Sequence, residues 1–334
     1  MPSDKVRDQS LDCVKGILIF LVVWGHFIQL YLLADNDGYL YDSLYKSIYS
    51  FHMPLFVFIS GCFFKNSIDV SFLEIVKKQF NRLIVPQISF VILGLVIFIL
   101  FGDVYSYKLC ENGSLSIKKV YHFVTFAWYL WCIFFCTLFV NAMQRIFKTK
   151  TNVVVVVVCV LMWLTIDFLP GPLFQNQQFG RMLPCFYLGM LAKKHEYAFE
   201  MQKKKILTVC SFVSLAYFLV FILNSHMVLP GYLIRIPLQL FPMLLMFIVL
   251  KTFCKKNVLN VFLFWSRDTL FIYVFHALLL RLADPLHIHF STGFLYLDYI
   301  FYGLIAILVC YILGFLGKVI RKNLLLKRFL LGEN

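Results

Sequence analysis

Three histidines interrupt long apolar segments of the chain. His26 ends GILIFLVVWGH, His52 opens HMPLFVFISG, and His276 ends TLFIYVFH. A neutral imidazole can take a proton from a hydroxyl group, which is general-base catalysis. Ionisable groups in hydrocarbon are costly and are functional candidates by default. The three histidines are therefore candidate acid–base residues; for His26 the alternative is a packed histidine that hydrogen-bonds a neighbouring helix.

Lys15 and Asp12 stand near the start of the segment that His26 ends. Eleven residues separate Lys15 from His26, which in an α-helix is three turns plus about 20°, or roughly 16 Å along the axis. Asp12 lies about one turn before Lys15 on nearly the same face. The spacing predicts one functional face for all three residues, whereas the alternative for Lys15 is snorkelling to the membrane interface.

Further polar and aromatic residues accompany the histidines in other apolar segments. Pro54 cannot donate a backbone hydrogen bond, so a carbonyl acceptor is left free beside His52, although a simple kink is the alternative. Trp128 belongs to FAWYLW, which also fits an interfacial aromatic belt. Arg181 opens RMLPCFYLG. These residues predict a polar cavity if their helices face one another.

The elements that must position these residues are membrane helices. Of the 334 residues, 61% are hydrophobic, more than a soluble protein carries, and they come in blocks long enough to cross a bilayer. We predict an all-α polytopic membrane protein, a single embedded domain of about ten transmembrane helices. The predicted spans are residues 11–33, 46–64, 83–101, 122–144, 152–169, 179–192, 205–224, 231–250, 261–282 and 294–317.

The distribution of Lys and Arg predicts the orientation of the helices. The two terminal segments and every second loop hold 23 of the 31 basic residues, whereas the alternate loops hold four. This asymmetry favours both termini in the cytoplasm, with residues 318–334 as a basic cytoplasmic tail. It also accounts for the net charge of +14 without nucleic acid. Under this topology His26, His52, His276 and Arg181 all fall in the outer half of the membrane.

Other sequence features narrow the chemistry. The cysteines lie mostly in apolar segments and show no Cys-x-x-Cys pair, so neither a zinc site nor a disulfide framework is predicted. No nucleotide-binding or serine-hydrolase motif is present. Residues 66–82 and 318–330 have amphipathic patterns typical of helices at a membrane surface.

Taken together, these segments resemble the acyltransferase 3 family of bacterial integral-membrane acyltransferases. The resemblance runs from about residue 7 to residue 318. It is most specific in FHMPLFVFISG at 51–61 and in the spacing of Lys15 and His26, although many members carry Arg at the position of Lys15. The segments around Trp128, Arg181 and His276 match weaker family signatures. The branch that it most resembles O-acetylates sugars of cell-surface polysaccharides.

The resemblance implies a reaction and a place for it. Acetyl-CoA would be the donor substrate, with no bound cofactor or metal, and a sugar hydroxyl would be the acceptor, in a bacterial plasma membrane. His26 would be the general base, and His52 would orient the acceptor or carry a second proton step.

Further residues complete the implied site. Trp128, Arg181 and His276 would hold the sugar or the developing oxyanion. Lys15 and Arg7, together with Asp12, would bind the donor. A flippase for a lipid-linked sugar is the alternative class, and a structural subunit of a polysaccharide assembly complex is a third.

Overall fold

The protein folds as a bundle of helices. A computed structural model describes residues 8–33, 35–64, 70–101, 110–111, 114–115, 128–165, 176–219, 231–256, 260–283 and 291–333. In chain order the α-helices are α1 Gln9–Phe27, α2 Ser43–Cys62, α3 Phe72–Gln79, α4 Val85–Phe101, α5 Trp128–Phe147, α6 Thr151–Thr165, α7 Asn176–Lys194, α8 Glu196–Met201, α9 Lys203–Tyr217, α10 Gly231–Lys255, α11 Thr269–Ala283, α12 Leu295–Ile320 and α13 Leu324–Leu331.

A helix overlaps each of the ten predicted spans, and the boundaries differ by several residues. The largest shift is in α11, which begins at Thr269 rather than at residue 261. The chain forms a 3₁₀ helix at Asn260–Leu263, and the polar run 266–268 then precedes α11, as expected because Ser and Asp favour positions before a helix. Helix α7 has 19 residues, or about 28 Å, and is longer than the predicted span 179–192 that it covers.

Membrane-spanning capacity is evident from length and composition. Within the described ranges, four helical stretches are long and apolar enough to cross a bilayer: Gln9–Leu32, Phe72–Ile97, Pro237–Lys255 and Leu295–Ile320. The full count of ten crossings and the cytoplasmic placement of both termini remain predictions. One small departure from helix is the antiparallel pairing of Cys110–Glu111 (β1) with Ser114–Leu115 (β2).

Helix α1 lies at the centre of the bundle. It contacts α2, α10, α11 and α12, and residues such as Val14, Leu18 and Val23 on several of its faces are fully buried. A helix that is apolar on all sides is buried on all sides, and α1 fits this rule. Its burial carries Asp12, Lys15 and His26 into contact with the helices around it.

Helices α2 and α7 pack closely because a glycine on each faces the backbone of the other. A Cβ on Gly61 would meet the carbonyl oxygen of Phe186, and a Cβ on Gly189 would meet the carbonyl oxygen of Phe58. Small residues allow membrane helices to approach in this way. The contact fixes α2, which carries His52, against the rest of the bundle.

We expect Gly189→Ala to destabilise the protein, because the added methyl group has only the rigid Phe58 backbone to displace. Overpacking of this kind costs about 1–3 kcal/mol. Thermal unfolding in detergent would show a lower Tm. Gly38→Ala is the control, since a Cβ there meets nothing nearer than 3.7 Å. An unchanged Tm for Gly189→Ala would contradict this account of the α2–α7 contact.

The C-terminal segment is held by an ion-pair network. Asp268 pairs with Arg321, which also pairs with Glu333 at 3.0 Å and donates a hydrogen bond to the Arg267 carbonyl. Arg321 approaches Asp268 from the end of α12, a contact that the local sequence around Asp268 does not reveal.

The predicted surface helices are present as helices. Residues 66–82 contain α3, where Leu73 is 75% exposed, and the tail contains α13, where Leu324 is 74% exposed. Exposed leucines on short amphipathic helices fit anchoring at a membrane surface, which stays a prediction.

Candidate active site

The three histidines from three different helices meet inside the bundle. The rings of His26 on α1 and His276 on α11 have centroids 5.2 Å apart. Tyr49 on α2 lies beside two of the three histidine rings: its ring centroid is 6.5 Å from that of His26 and 4.5 Å from that of His52. The structure thus brings together residues that sequence periodicity could place at a similar depth but could not orient toward one another.

His52 and His276 are held in the same way. The Nδ1 atom of His52 lies 2.7 Å from the carbonyl oxygen of Ile48, and that of His276 lies 2.8 Å from the carbonyl oxygen of Ile272. A carbonyl oxygen only accepts hydrogen bonds, so each Nδ1 must carry the proton. In the neutral ring, Nε2 of both histidines then carries a lone pair that can accept a proton.

The three histidines differ in accessibility. His52 is 1% exposed and His276 is fully buried, whereas His26 is partly exposed. A π-helical turn, Ile28–Leu32, follows His26 almost immediately, and such turns are frequent at functional sites. Of the three rings, His26 is therefore the one that a substrate hydroxyl can approach, with His276 next to it.

Tyrosines that the sequence analysis did not single out complete the site. Tyr273 lies 6.1 Å from His276, between ring centroids, and 5.3 Å from Tyr129. The Tyr129 hydroxyl is 2.8 Å from the Ser60 hydroxyl, and Trp128 adjoins Tyr129 at 6.4 Å. Trp128 is thereby connected to the histidines through two tyrosines.

A repeated local pattern could have revealed two of these tyrosines. Tyr49 precedes His52 by three residues, and Tyr273 precedes His276 by three residues. Residues three apart share a helix face, so each Tyr-x-x-His pair presents a phenol and an imidazole together. No comparable local pattern marks Tyr129, because the residues that it contacts in the site, Tyr273 and Ser60, belong to other helices.

Arg181 lies in the first half of α7, partly buried. This helix packs against α2 and α5, which carry His52 and Trp128. The predicted role of Arg181 in holding an oxyanion or a sugar remains a prediction.

At the other end of α1, Lys15 and Asp12 lie on one helix face, as their spacing predicts, and they form an ion pair. Lys15 Nζ is 2.7 Å from Asp12 Oδ1, and it lies over the Phe63 ring at 4.6 Å. The Lys15 side chain is 18% exposed, so it is not fully enclosed by the bundle. Arg7, the other predicted donor-binding residue, lies outside the described residues.

A second charged cluster at this end was not foreseen. Lys193 at the end of α7 bonds Glu196 at 2.7 Å, and Lys251 of α10 approaches the same carboxylate at 3.4 Å. The hydrogen bond from Lys193 lowers the pKa of Glu196. Burial raises the pKa of Asp8, but hydrogen bonds from Ser10 and the Leu11 amide, with the charges of Lys251 and Lys193, lower it overall. The chain start, α7 and α10 thus meet in one network.

Within the described ranges, no group of three or more His, Cys, Asp or Glu side chains is arranged to hold a metal ion. The nine cysteines whose side chains the structure describes are all buried and form no disulfide. Burial is the usual state of cysteine that acts as a small apolar side chain.

A bundle that contains several helices long and apolar enough to cross a bilayer, packed around buried histidines and tyrosines, has the architecture of an integral membrane protein. Residues 8–316 match the acyltransferase domain of the acyltransferase 3 family. The chain therefore belongs to this family of polytopic membrane enzymes, which transfer acyl groups. The resemblance inferred from the motifs around His26 and His52 is confirmed.

Two curated relatives match a shorter stretch. Nodulation protein NolL of Sinorhizobium fredii is 42% identical over 83 residues, which are 25% of this chain and 23% of that protein. Nodulation protein NolL of Mesorhizobium japonicum is 41% identical over 83 residues, 25% of this chain and 22% of that protein. The match spans about a quarter of the length of these relatives. No solved structure matches the chain.

Proposed function

We propose that this protein transfers an acetyl group from acetyl-CoA to a hydroxyl of a cell-surface polysaccharide or of its lipid-linked sugar precursor. The observation that carries the proposal is the meeting of His26, His52 and His276 inside a membrane acyltransferase. Family membership favours an enzyme over the flippase, which would need no acyl donor.

The proposed chemistry begins at His26. A sugar hydroxyl is a poor nucleophile, so a neutral imidazole must take its proton as the oxygen attacks the thioester carbonyl. His26 is partly exposed and lies against His276. His276 and His52 offer Nε2 lone pairs that hold His26 or the acceptor hydroxyl in position. The developing oxyanion requires a hydrogen-bond donor, a role that we assign to Arg181 or to the tyrosines near Trp128.

A covalent route is the second chemical possibility. The imidazole of His26 would attack the thioester itself, releasing CoA and forming an acetyl-imidazole, and the sugar hydroxyl would then take the acetyl group. Acid quenching of enzyme mixed with acetyl-CoA alone, followed by mass spectrometry of the His26 peptide, distinguishes the routes. Only the covalent route gives an acetylated peptide before acceptor is added.

The positions of Lys15 and His26 near opposite ends of α1 suit a mechanism in which acetyl-CoA and the acceptor sugar enter from opposite sides. Lys15, paired with Asp12, lies at the end that the charge distribution places in the cytoplasm, where acetyl-CoA is made available. His26 lies eleven residues further, roughly 16 Å toward the other side. We propose about ten membrane crossings with both termini cytoplasmic, in a bacterial plasma membrane. Labelling of single cysteines placed in the 193–205 loop from outside the cell would contradict this topology.

Lys15→Ala should weaken donor use, because the ammonium group is proposed to meet a phosphate of coenzyme A. Loss of one charge-assisted hydrogen bond predicts roughly a tenfold higher KM for acetyl-CoA. Lys15→Arg should be tolerated because it keeps the charge. The double variant Lys15→Ala, Asp12→Asn separates donor binding from the cost of leaving Asp12 uncompensated. Wild-type kinetics in Lys15→Ala would support snorkelling instead.

The proposed function is tested with the full-length protein purified in detergent. Radiolabelled acetyl-CoA is supplied with candidate glycans, and transfer of label to the glycan is measured. An acyltransferase turns over without sealed vesicles, whereas a flippase has no measurable activity without two compartments. Mass spectrometry of surface glycans from cells with and without the gene then identifies the modified sugar; identical glycans in both strains would contradict the proposal.

A further inference from the structure

A cavity of about 420 Å³ opens at the His26 end of the bundle, between the start of α2 and the start of α12. Small-molecule sites usually have volumes of about 300–1,000 Å³. Its lining includes Tyr41, Asp42, Ser43, Ser47, Tyr296 and Tyr299. Aromatic faces, hydroxyl groups and one carboxylate therefore converge in a space large enough for a monosaccharide.

The polar groups of the cavity are built into the fold. The Tyr299 hydroxyl donates to Asp42 Oδ2, and the Tyr45 amide donates to Asp42 Oδ1 at 2.7 Å. A carboxylate has about four lone-pair positions, so the Asp42 oxygens can still accept hydrogen bonds from a ligand. Asp42 is thus fixed in place by two helices and keeps accepting capacity toward hydroxyl groups.

Two aromatic rings of the cavity lining are exposed, as expected for residues that contact a ligand rather than for residues of the hydrophobic core. Tyr296 is 81% exposed and Tyr41 is 61% exposed, whereas Tyr299 is buried. Aromatic residues on a rigid frame, with one end apolar and the other polar, are well suited to binding amphipathic surfaces. A pyranose ring is such a surface, because its C–H groups stack on an aromatic face and its hydroxyls hydrogen-bond outward.

The charge of the cavity selects among ligands. Among the residues that the structure describes, its lining contains the Asp42 carboxylate and no basic side chain. An anionic phosphate or an anionic lipid headgroup would be repelled by this carboxylate and would meet no cationic partner in that lining. A neutral sugar meets no such penalty.

The cavity is connected to the histidine cluster by direct contacts. The Trp24 indole on α1 donates to the Tyr299 carbonyl at 3.1 Å. Tyr45, whose amide bonds Asp42, stacks on Tyr49 with ring centroids 3.9 Å apart, and Tyr49 adjoins His26. Ser47 precedes His52 by five residues, or about 7.5 Å along α2.

From this arrangement we infer that the cavity binds a neutral sugar unit of the acceptor glycan, next to the unit whose hydroxyl reaches His26. The inference rests on the proposed function, since it treats the acceptor as a saccharide of more than one unit. Tyr41 and Tyr296 stack on the sugar ring, and Asp42 accepts hydrogen bonds from its hydroxyls. The site would determine which glycan is accepted, separately from the chemistry at His26.

The kinetic test compares the variants Tyr296→Ala and Asp42→Asn with wild type in the full-length detergent-purified protein. Tyr296→Ala removes an exposed ring, and Asp42→Asn keeps an oxygen for the Tyr45 amide, so both should fold. Loss of one stacking or charged contact predicts a KM for the oligosaccharide acceptor about tenfold higher, with the KM for acetyl-CoA unchanged. Tyr197→Ala, which removes an 80% exposed ring outside the cavity, should match wild type.

A binding experiment tests whether the cavity holds a sugar, independently of catalytic turnover. Saturation-transfer NMR with methyl glycosides of glucose, galactose and N-acetylglucosamine should show binding to wild type that weakens in Tyr296→Ala and Asp42→Asn. Equal binding in all proteins, or binding of glycerophosphoglycerol in preference to every glycoside, would overturn the inference. If wild type binds a glycoside through these residues but transfers no acetyl group to any glycan, the proposed function fails while the sugar site stands.

Discussion

We expect His26→Gln to abolish acetyl transfer and to leave the folded protein in the membrane at wild-type abundance. The glutamine amide keeps a polar group beside His276, whose ring centroid is 5.2 Å from that of His26, but an amide cannot take a proton. Loss of a general base costs about 10²–10⁴-fold in rate. Turnover of acetyl-CoA with a glycan acceptor is the measurement, with thermal stability recorded on the same preparation.

The control for this variant is His195→Gln. His195 is an exposed histidine at the start of α8, outside the cluster that we assign to catalysis, so its substitution should leave turnover unchanged. A purely structural His26 would instead show a stability loss of about 0.5–3 kcal/mol with activity reduced only in proportion to folded protein. Near-normal turnover in His26→Gln would move the base to His52 or His276.

We expect His276→Asn to reduce turnover by about 10²-fold or more, which is the typical loss when a polar group that acts on the transition state is removed. The asparagine amide can still donate to the Ile272 carbonyl, which His276 Nδ1 contacts at 2.8 Å. It has no atom that reaches the position of Nε2. The variant therefore keeps the internal hydrogen bond of α11 and removes only the accepting nitrogen that faces the site.

Because His276→Asn removes Nε2 but keeps the hydrogen bond to the Ile272 carbonyl, a loss of activity can be attributed to Nε2. Because the ring is fully buried, His276→Ala would leave a cavity and a carbonyl without its second donor, and a loss of activity would then have two explanations. A fall in kcat for His276→Asn, with Tm and the KM for acetyl-CoA near wild type, supports positioning of His26 by the Nε2 lone pair. An active His276→Asn enzyme would refute that role.

The positions of the helices followed from the sequence because apolar residues come in separate long blocks, and backbone groups away from water must form their hydrogen bonds within their own segment. The same regularity made the contact between Asp12 and Lys15 predictable, since both lie on one helix and are one turn apart. The two Tyr-x-x-His patterns were readable for the same reason. The family was likewise recognisable from motifs that each lie within one helix.

Contacts between helices were decided only by the tertiary structure. Asp268 pairs with Arg321 rather than with its neighbour Arg267 because the ends of α11 and α12 come together. Gly61 and Gly189 matter because each faces a backbone more than a hundred residues away. Hydropathy fixes the depth of a residue, but the rotation of each helix depends on how side chains of all its neighbours pack.

The histidine cluster and the cavity at the His26 end of the bundle also depend partly on local sequence and partly on tertiary packing. Sequence placed His26, His52 and His276 in apolar segments and thereby marked them as unusual. Only packing of α1, α2 and α11 brought His26 against His276 and set Tyr49 between His26 and His52. The cavity joins Asp42 to Tyr299, residues 257 positions apart, and no local pattern encodes a contact over that separation, because it forms only when two whole helices pack side by side.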